Sequence, residues 1–162
     1  MRLPSNIEGL KICEIKAYDV RFPTSLTLTG SDAVHKSPDY SCCYVIIKVE
    51  GSALEGHGFT FTLGRGTETV VHAVEQMFYL IEGKKLVEIL GNFRMFWRSL
   101  TNEDQLRWLG PEKGVVHLAT AAVINALWDL WAKLENKPLW KLLSDMTPEE
   151  LVSVVDFRHM YV

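Results

Sequence analysis

The chain has 162 residues, which fits one domain of ordinary size. Hydrophobic residues make up 48% and charged residues 23%, which argues against long-range disorder. The net charge is -3, and the basic residues lie scattered beside acids, as in Glu112-Lys113, so no basic stripe is offered to nucleic acid.

Ile12 to Phe22 reads as a strand of imperfect alternation that Pro23 ends. Thr24 to Tyr40 is rich in Thr, Ser, Gly, Asp and Pro and reads as a loop of about seventeen residues, long enough to expect a function. Ser41 to Val49 is the strongest strand, with Tyr44, Val45, Ile46, Ile47 and Val49 aromatic or β-branched. Glu50-Gly51-Ser52 turns the chain, and Leu54 to Thr62 returns as a third strand weakened by Gly56 and Gly58. An antiparallel meander results. Thr67 is the expected N-cap of a helix whose apolar residues, Val70 to Ile81, recur at helical spacing until Gly83. Leu86–Leu90 reads as a short turn or helix, and Asn92–Leu100 as a helix with Phe93, Phe96 and Trp97 on one side. The longest helix runs from about Lys113 to Leu134 and is apolar on most faces, so it is expected between layers. Leu139–Leu143 adds a turn. Leu151–Phe157 reads as a buried-looking strand with nothing after it to pair with, which suggests a second domain begun and left incomplete.

Cys13, Cys42 and Cys43 are odd in number and two are adjacent, so they form neither a disulfide framework nor a zinc signature. They read as free thiols in or beside a core. No glycosylation sequon occurs, no uninterrupted apolar run of about 18 residues suggests a membrane span, and residues 1–8 lack the apolar core of a secretory signal. These features point to a soluble protein in a reducing, intracellular setting, without a membrane or nucleic-acid partner.

Gly56-His57-Gly58 and Gly64-Arg65-Gly66 lack phosphate-loop spacing and read as glycines that release a strand into a turn. No histidine pair lies at metal-binding helical spacing; His35, in the long loop, is the one best placed to touch a ligand. The five tryptophans bunch in the helical half and read as packing. Thr24, Ser31, Asp32, Asp39 and Tyr40 gather in the long loop, where turn chemistry alone explains the Asp and Ser residues and a binding role is the lesser reading. From the residues alone the reading stops at an α+β module with one suspicious loop.

Longer runs carry more. Asp19-Val20-Arg21-Phe22-Pro23-Thr24-Ser25, Pro38-Asp39-Tyr40-Ser41, Phe59-Thr60-Phe61-Thr62-Leu63-Gly64, Gly66-Thr67-Glu68, Gln105-Leu106-Arg107-Trp108 and Gly110 to Ala122 resemble the N-terminal capping domain of the enolase superfamily (mandelate racemase/muconate lactonizing enzyme type), and within it the L-fuconate dehydratases. The resemblance covers almost the whole chain. It implies an α+β fold in two parts: a capping domain over residues 1–145 and the start of a (β/α)7β barrel over residues 146–162. It further implies a Mg2+-dependent hydro-lyase that removes the proton α to the carboxylate and expels the β-hydroxyl, turning L-fuconate into 2-keto-3-deoxy-L-fuconate. Barrel active sites lie at the face such a cap covers. Thr24–Tyr40 and about Thr60–Gly66 correspond to its lid loops, and Gly30, Ser31, Asp32 and Tyr40 match positions that contact the sugar acid. The base, the Mg2+ ligands and the His–Asp dyad belong beyond Val162, so no catalytic or metal residue is assigned to this chain, and Asp156 and His159 are not candidates. The chain alone is expected to be inactive and to bind no metal. The partners implied are a small sugar acid and, through cap contacts, a homo-oligomer; the compartment implied is the mitochondrion. The alternative is a truncated, non-catalytic module that binds full-length subunits.

Overall fold

A computed structural model describes residues 3–110 and 112–158. Three strands, β1 (Ile12–Arg21), β2 (Ser41–Val49) and β3 (Glu55–Thr62), form an antiparallel sheet in the order β1-β2-β3. Among the described residues six α-helices follow: α1 (Thr67–Gln76), α2 (Leu86–Gly91), α3 (Phe93–Thr101), α4 (Val115–Leu134), α5 (Leu139–Ser144) and α6 (Pro148–Val154).

Strict alternation in β2 sends Cys43, Val45, Ile47 and Val49 to one face, where they are buried. Register carries the same division across the sheet. Tyr18, Tyr44 and Phe59 align on the outer face, as do Val20, Cys42 and Phe61. A shift between Ile12 and Glu14 moves the start of β1 by one residue, so Ile12 and Ile15 both point inward.

The inner face is covered chiefly by α4, with α1 beside it. Helix α4 is long and apolar enough to cross a membrane by composition, yet most of its apolar surface is spent inside the fold, where Val116, Val123, Leu127 and Leu130 are fully buried. It lies unusually close to β3. A Cβ on Gly58 would stand 2.2 Å from the Ala126 nitrogen and 2.3 Å from the Ala122 oxygen. Gly56 and Gly58 therefore do not merely weaken the strand; they admit the helix backbone. Trp128 and Trp131 stack at 5.0 Å and tilt against Phe93, while Trp108 and Trp140 are 81% and 69% exposed.

Three sequence expectations are corrected. Gly66, at φ 94°, is the N-cap of α1, and Thr67 is its first residue. That helix ends at Gln76 and passes into a 3-10 turn at Phe78–Leu80 well before Gly83. Leu151–Phe157 is not a strand: Leu151 to Val154 belong to α6. Thr147 accepts from the Glu150 N–H, the Glu150 carboxylate accepts from the Thr147 N–H, and Pro148 sits in the first turn. This local capping outweighs the strand propensity of the β-branched residues, and no strand pairs with the segment among the described residues. Leu151 and Val152 are exposed. His159 lies outside the described residues.

Candidate functional site: the loops at one end of the sheet

Phe22 extends the β1–β2 ladder by one step, its N–H donating to the Tyr40 carbonyl at 3.1 Å. The long loop departs and returns there, and its own side chains close its base. The Thr24 hydroxyl donates to the Pro38 carbonyl (2.8 Å) and accepts from the Tyr40 N–H (2.9 Å). The Ser25 N–H donates to Asp39 Oδ1 at 3.1 Å, and hydrogen bonds from Ser25 hold the Asp39 carboxyl below its ordinary value. A 3-10 turn at Thr24–Thr27 then ends at Leu28, whose φ of 53° turns the chain toward the tip.

At the tip, Gly30 and Tyr40 meet. The Tyr40 hydroxyl donates to the Gly30 carbonyl at 2.9 Å. Gly30 has φ 76°, and a Cβ there would stand 2.0 Å from that hydroxyl, so only glycine fits. The Ser31 N–H donates to the Leu28 carbonyl, whereas the Ser31 hydroxyl and the Gly30 N–H make no hydrogen bond among the described residues. The Asp32 carboxylate accepts from the N–H groups of His35 (2.6 Å) and Val34 (2.8 Å), and the His35 ring lies 3.2 Å away. The His35 and Val34 amides pull the Asp32 pKa down, so it is a carboxylate. The structure thus brings Gly30 and Tyr40 into contact and places Ser31 and Asp32 on the same exposed tip.

The turn between β3 and α1 stands beside this loop. The Asp39 N–H donates to the Leu63 carbonyl at 3.3 Å, and Gly64, at φ 109°, would carry a Cβ 3.0 Å from the Asp39 Cβ. Inside the turn the buried Thr67 hydroxyl donates to the Gly64 carbonyl (2.6 Å) and meets the Thr62 hydroxyl at 2.7 Å. Arg21 bonds both oxygens of Asp19 at 2.8 and 2.7 Å and reaches Glu68 in the first turn of α1. It lowers the pKa of Asp19, while that of Glu68 is lowered first by its own backbone N–H and then by Arg21. Sequence reading named Thr24 and Asp39 in the loop, with turn chemistry as one account of the loop residues, but not the bonds by which they close its base, nor the bracing by Arg21. The Thr and Asp residues near each end of the loop were the available signal.

Below the tip, the outer sheet face is apolar. Val20, Phe22, Tyr40, Tyr44, Phe59 and Phe61 line a shallow depression of about 390 Å3. Phe22, Phe59 and Phe61 are more than half exposed. Burial pushes the Cys43 thiol up to about 12 and also raises that of Cys42, whereas Cys13 is exposed rather than packed in the core. No group of three His, Cys, Asp or Glu side chains gathers as metal ligands among the described residues. Asp19 and Glu68 are bound to Arg21, and Oδ1 of Asp32 and Oδ1 of Asp39 accept from loop amides. The donor set of this end does not fit Mg2+. What the end can do is cover and hydrogen-bond a polar molecule.

A three-stranded antiparallel meander backed by helices, with two braced loops at one end of the sheet, is the architecture of an enolase-type N-terminal domain. The chain belongs to the mandelate racemase / muconate lactonizing enzyme family, whose N-terminal domain matches residues 25–144. It is 59% identical over 151 residues to mitochondrial enolase superfamily member 1 of Bos taurus, covering 93% of this chain and 34% of that protein. It is 52% identical over 149 residues to the L-galactonate dehydratase of Hypocrea jecorina, covering 92% and 33%. The crystal structure of human mitochondrial enolase superfamily member 1 superposes with a TM-score of 0.89 at 57% identity, covering 93% and 34%. An L-talarate/galactarate dehydratase liganded with Mg and L-glucarate shares the fold, at a TM-score of 0.62 and 21% identity over 84% of this chain and 33% of that one. The chain spans about a third of the length of the curated relatives it matches.

Proposed function

We propose that residues 1–145 are the lid and specificity part of a Mg2+-dependent sugar-acid dehydratase acting on acids of the L-fuconate class, and that residues 146–162 lead into its barrel. The observation that carries this reading is the Asp39 N–H to Leu63 carbonyl bond, which joins two loops at the end of a capping sheet into one cover. Its polar tip suits a polyhydroxylated acid, because a site that pairs substrate hydroxyls discriminates strongly against analogues lacking them. Gly30, Ser31, Asp32 and Tyr40 form the part of the cover that faces the acid. The dehydratase named among the relatives acts, by its name, on a sugar acid. Proton abstraction, Mg2+ binding and loss of the β-hydroxyl fall to residues outside this chain, and the compartment of this reading is the mitochondrion, supported by the name of the Bos taurus relative.

The test is an assay for 2-keto-3-deoxy acid formed from L-fuconate with Mg2+. The longest product of the coding sequence is expected to form it and the 162-residue chain to form none. Turnover by the short chain, or none by the long product with any six-carbon sugar acid, removes the reading. A second reading, an interaction module that binds full-length subunits, is favoured by the exposed Phe22, Phe59 and Phe61; co-sedimentation with those subunits tests it.

A further inference from the structure

The segment after α6 is held by polar bonds rather than by packing. No residue of α6 is buried, and Leu151, Val152 and Val155 are exposed. At Asp156 the chain is fastened to α3 instead. Arg98 on α3 donates to both oxygens of the Asp156 carboxylate, at 3.0 and 2.6 Å. The Arg158 N–H donates to Asp156 Oδ1 at 3.1 Å, and Arg158 Nε lies 3.2 Å from Oδ2. The Arg158 guanidinium in turn donates to Asn102 Oδ1 (2.7 Å) and to the Thr101 hydroxyl (3.0 Å), and it stands 5.4 Å from the centre of the Trp97 ring. One buried carboxylate thus ties an arginine of α3 to an arginine of the segment that leaves α6. Such a pair adds little net stability, because desolvation offsets the attraction. What a two-pronged clamp supplies is a single geometry.

We propose that Asp156 is a positioning residue: by joining Arg98 to Arg158 it fixes the direction in which the chain leaves the cap, and through that direction the seating of the two lid loops. This rests on the reading of residues 1–145 as a lid and of residues 146–162 as the way into a barrel. None of the clamp's bonds reaches a lid loop, so its action on them runs through the body that the chain enters.

Asp156→Asn keeps the size of the side chain, and Arg98→Lys keeps the charge while removing the paired donors. In the 162-residue chain both are expected to quicken amide exchange at Arg158 about tenfold and to leave it unchanged at Ser25 and Asp39, the bonded amides of the loops. In the longest product of the coding sequence both are expected to quicken exchange at Ser25 and Asp39 as well. There they should raise KM for L-fuconate about fivefold with kcat within about twofold. Asp129→Ala, which weakens the contact of α4 with β3 instead, is expected to change neither KM nor exchange at Ser25 and Asp39. Wild-type exchange at Arg158, wild-type exchange at Ser25 and Asp39 in the long product, or an unchanged KM in an active product overturns the proposal. So does an equal effect of Asp129→Ala, which would mean general loosening. If the wild-type long product turns over no sugar acid, the dehydratase reading falls, and exchange at Ser25 and Asp39 in that product alone decides whether Asp156 seats the loops.

Discussion

The Asp129 carboxylate on α4 accepts a hydrogen bond of 2.8 Å from the His57 N–H on the edge strand β3. One helical turn to either side, the Asn125 amide donates to the Phe59 carbonyl (3.0 Å) and the Lys133 ammonium to the Glu55 carbonyl (2.7 Å). The periods match: four helical residues rise about 6 Å, and two strand residues about 6.8 Å. A row of helix side chains thus occupies the backbone groups that an open edge would offer to another chain.

Asp129→Ala is expected to free the His57 N–H and to deprive Lys133 of its 2.6 Å ion pair. The expected loss is about 1–2 kcal/mol. Replacing Asn125 and Lys133 as well should open the edge, and sedimentation velocity is expected to show self-association rising with concentration. A triple variant that stays monomeric would falsify the protective role.

Gly58→Ala sets a methyl group against the α4 backbone rather than against a flexible side chain. The helix has to move, at a cost of about 3 kcal/mol. Denaturant unfolding measures it. Gly51→Ala is the comparison without a clash: with open space around it and φ 77°, its cost comes from the backbone and not from a neighbouring atom.

Asp156 is clamped by Arg98, whose nitrogens donate at 3.0 and 2.6 Å, and its side chain is 3% exposed. Chiefly the Arg98 hydrogen bonds lower its pKa to about 2. A depressed carboxyl pKa stabilises the folded state above the unfolded value near 3.8, and that stability is lost as pH falls through about 2. Asp156→Asn should therefore be less stable than wild type at pH 7, by about 2 kcal/mol. Urea midpoints of the two proteins are expected to converge as the pH approaches 2. A gap that persists unchanged at low pH would show that charge is not its cause.

Thr24→Val removes the hydroxyl that closes the base of the long loop by two bonds. The loop is expected to loosen while the sheet keeps its stability to within about 1–2 kcal/mol. Trypsin cleavage at the exposed Lys36 should quicken several-fold relative to other sites. Equal cleavage rates in both proteins would show that Thr24 is not the closure.

Much of this protein follows from local pattern. Alternation in Ser41–Val49 and the 3.6-residue period of residues 115–134 define the strongest strand and the central helix, because each pattern serves only one geometry. Local chemistry is legible at the last helix as well: Thr147, Pro148 and Glu150 spell a helix start that prevails over the strand propensity of the β-branched residues after them. Other features depend on residues far apart in the chain. Gly58 is obligatory because Ala122 and Ala126 arrive beside it, His57 is satisfied because Asp129 lies 72 positions on, and Gly30 is glycine because Tyr40 fills its side-chain space. Periodicity records which face of an element is buried. Which backbone approaches it, and which distant donor meets its unpaired groups, is settled only when the elements pack.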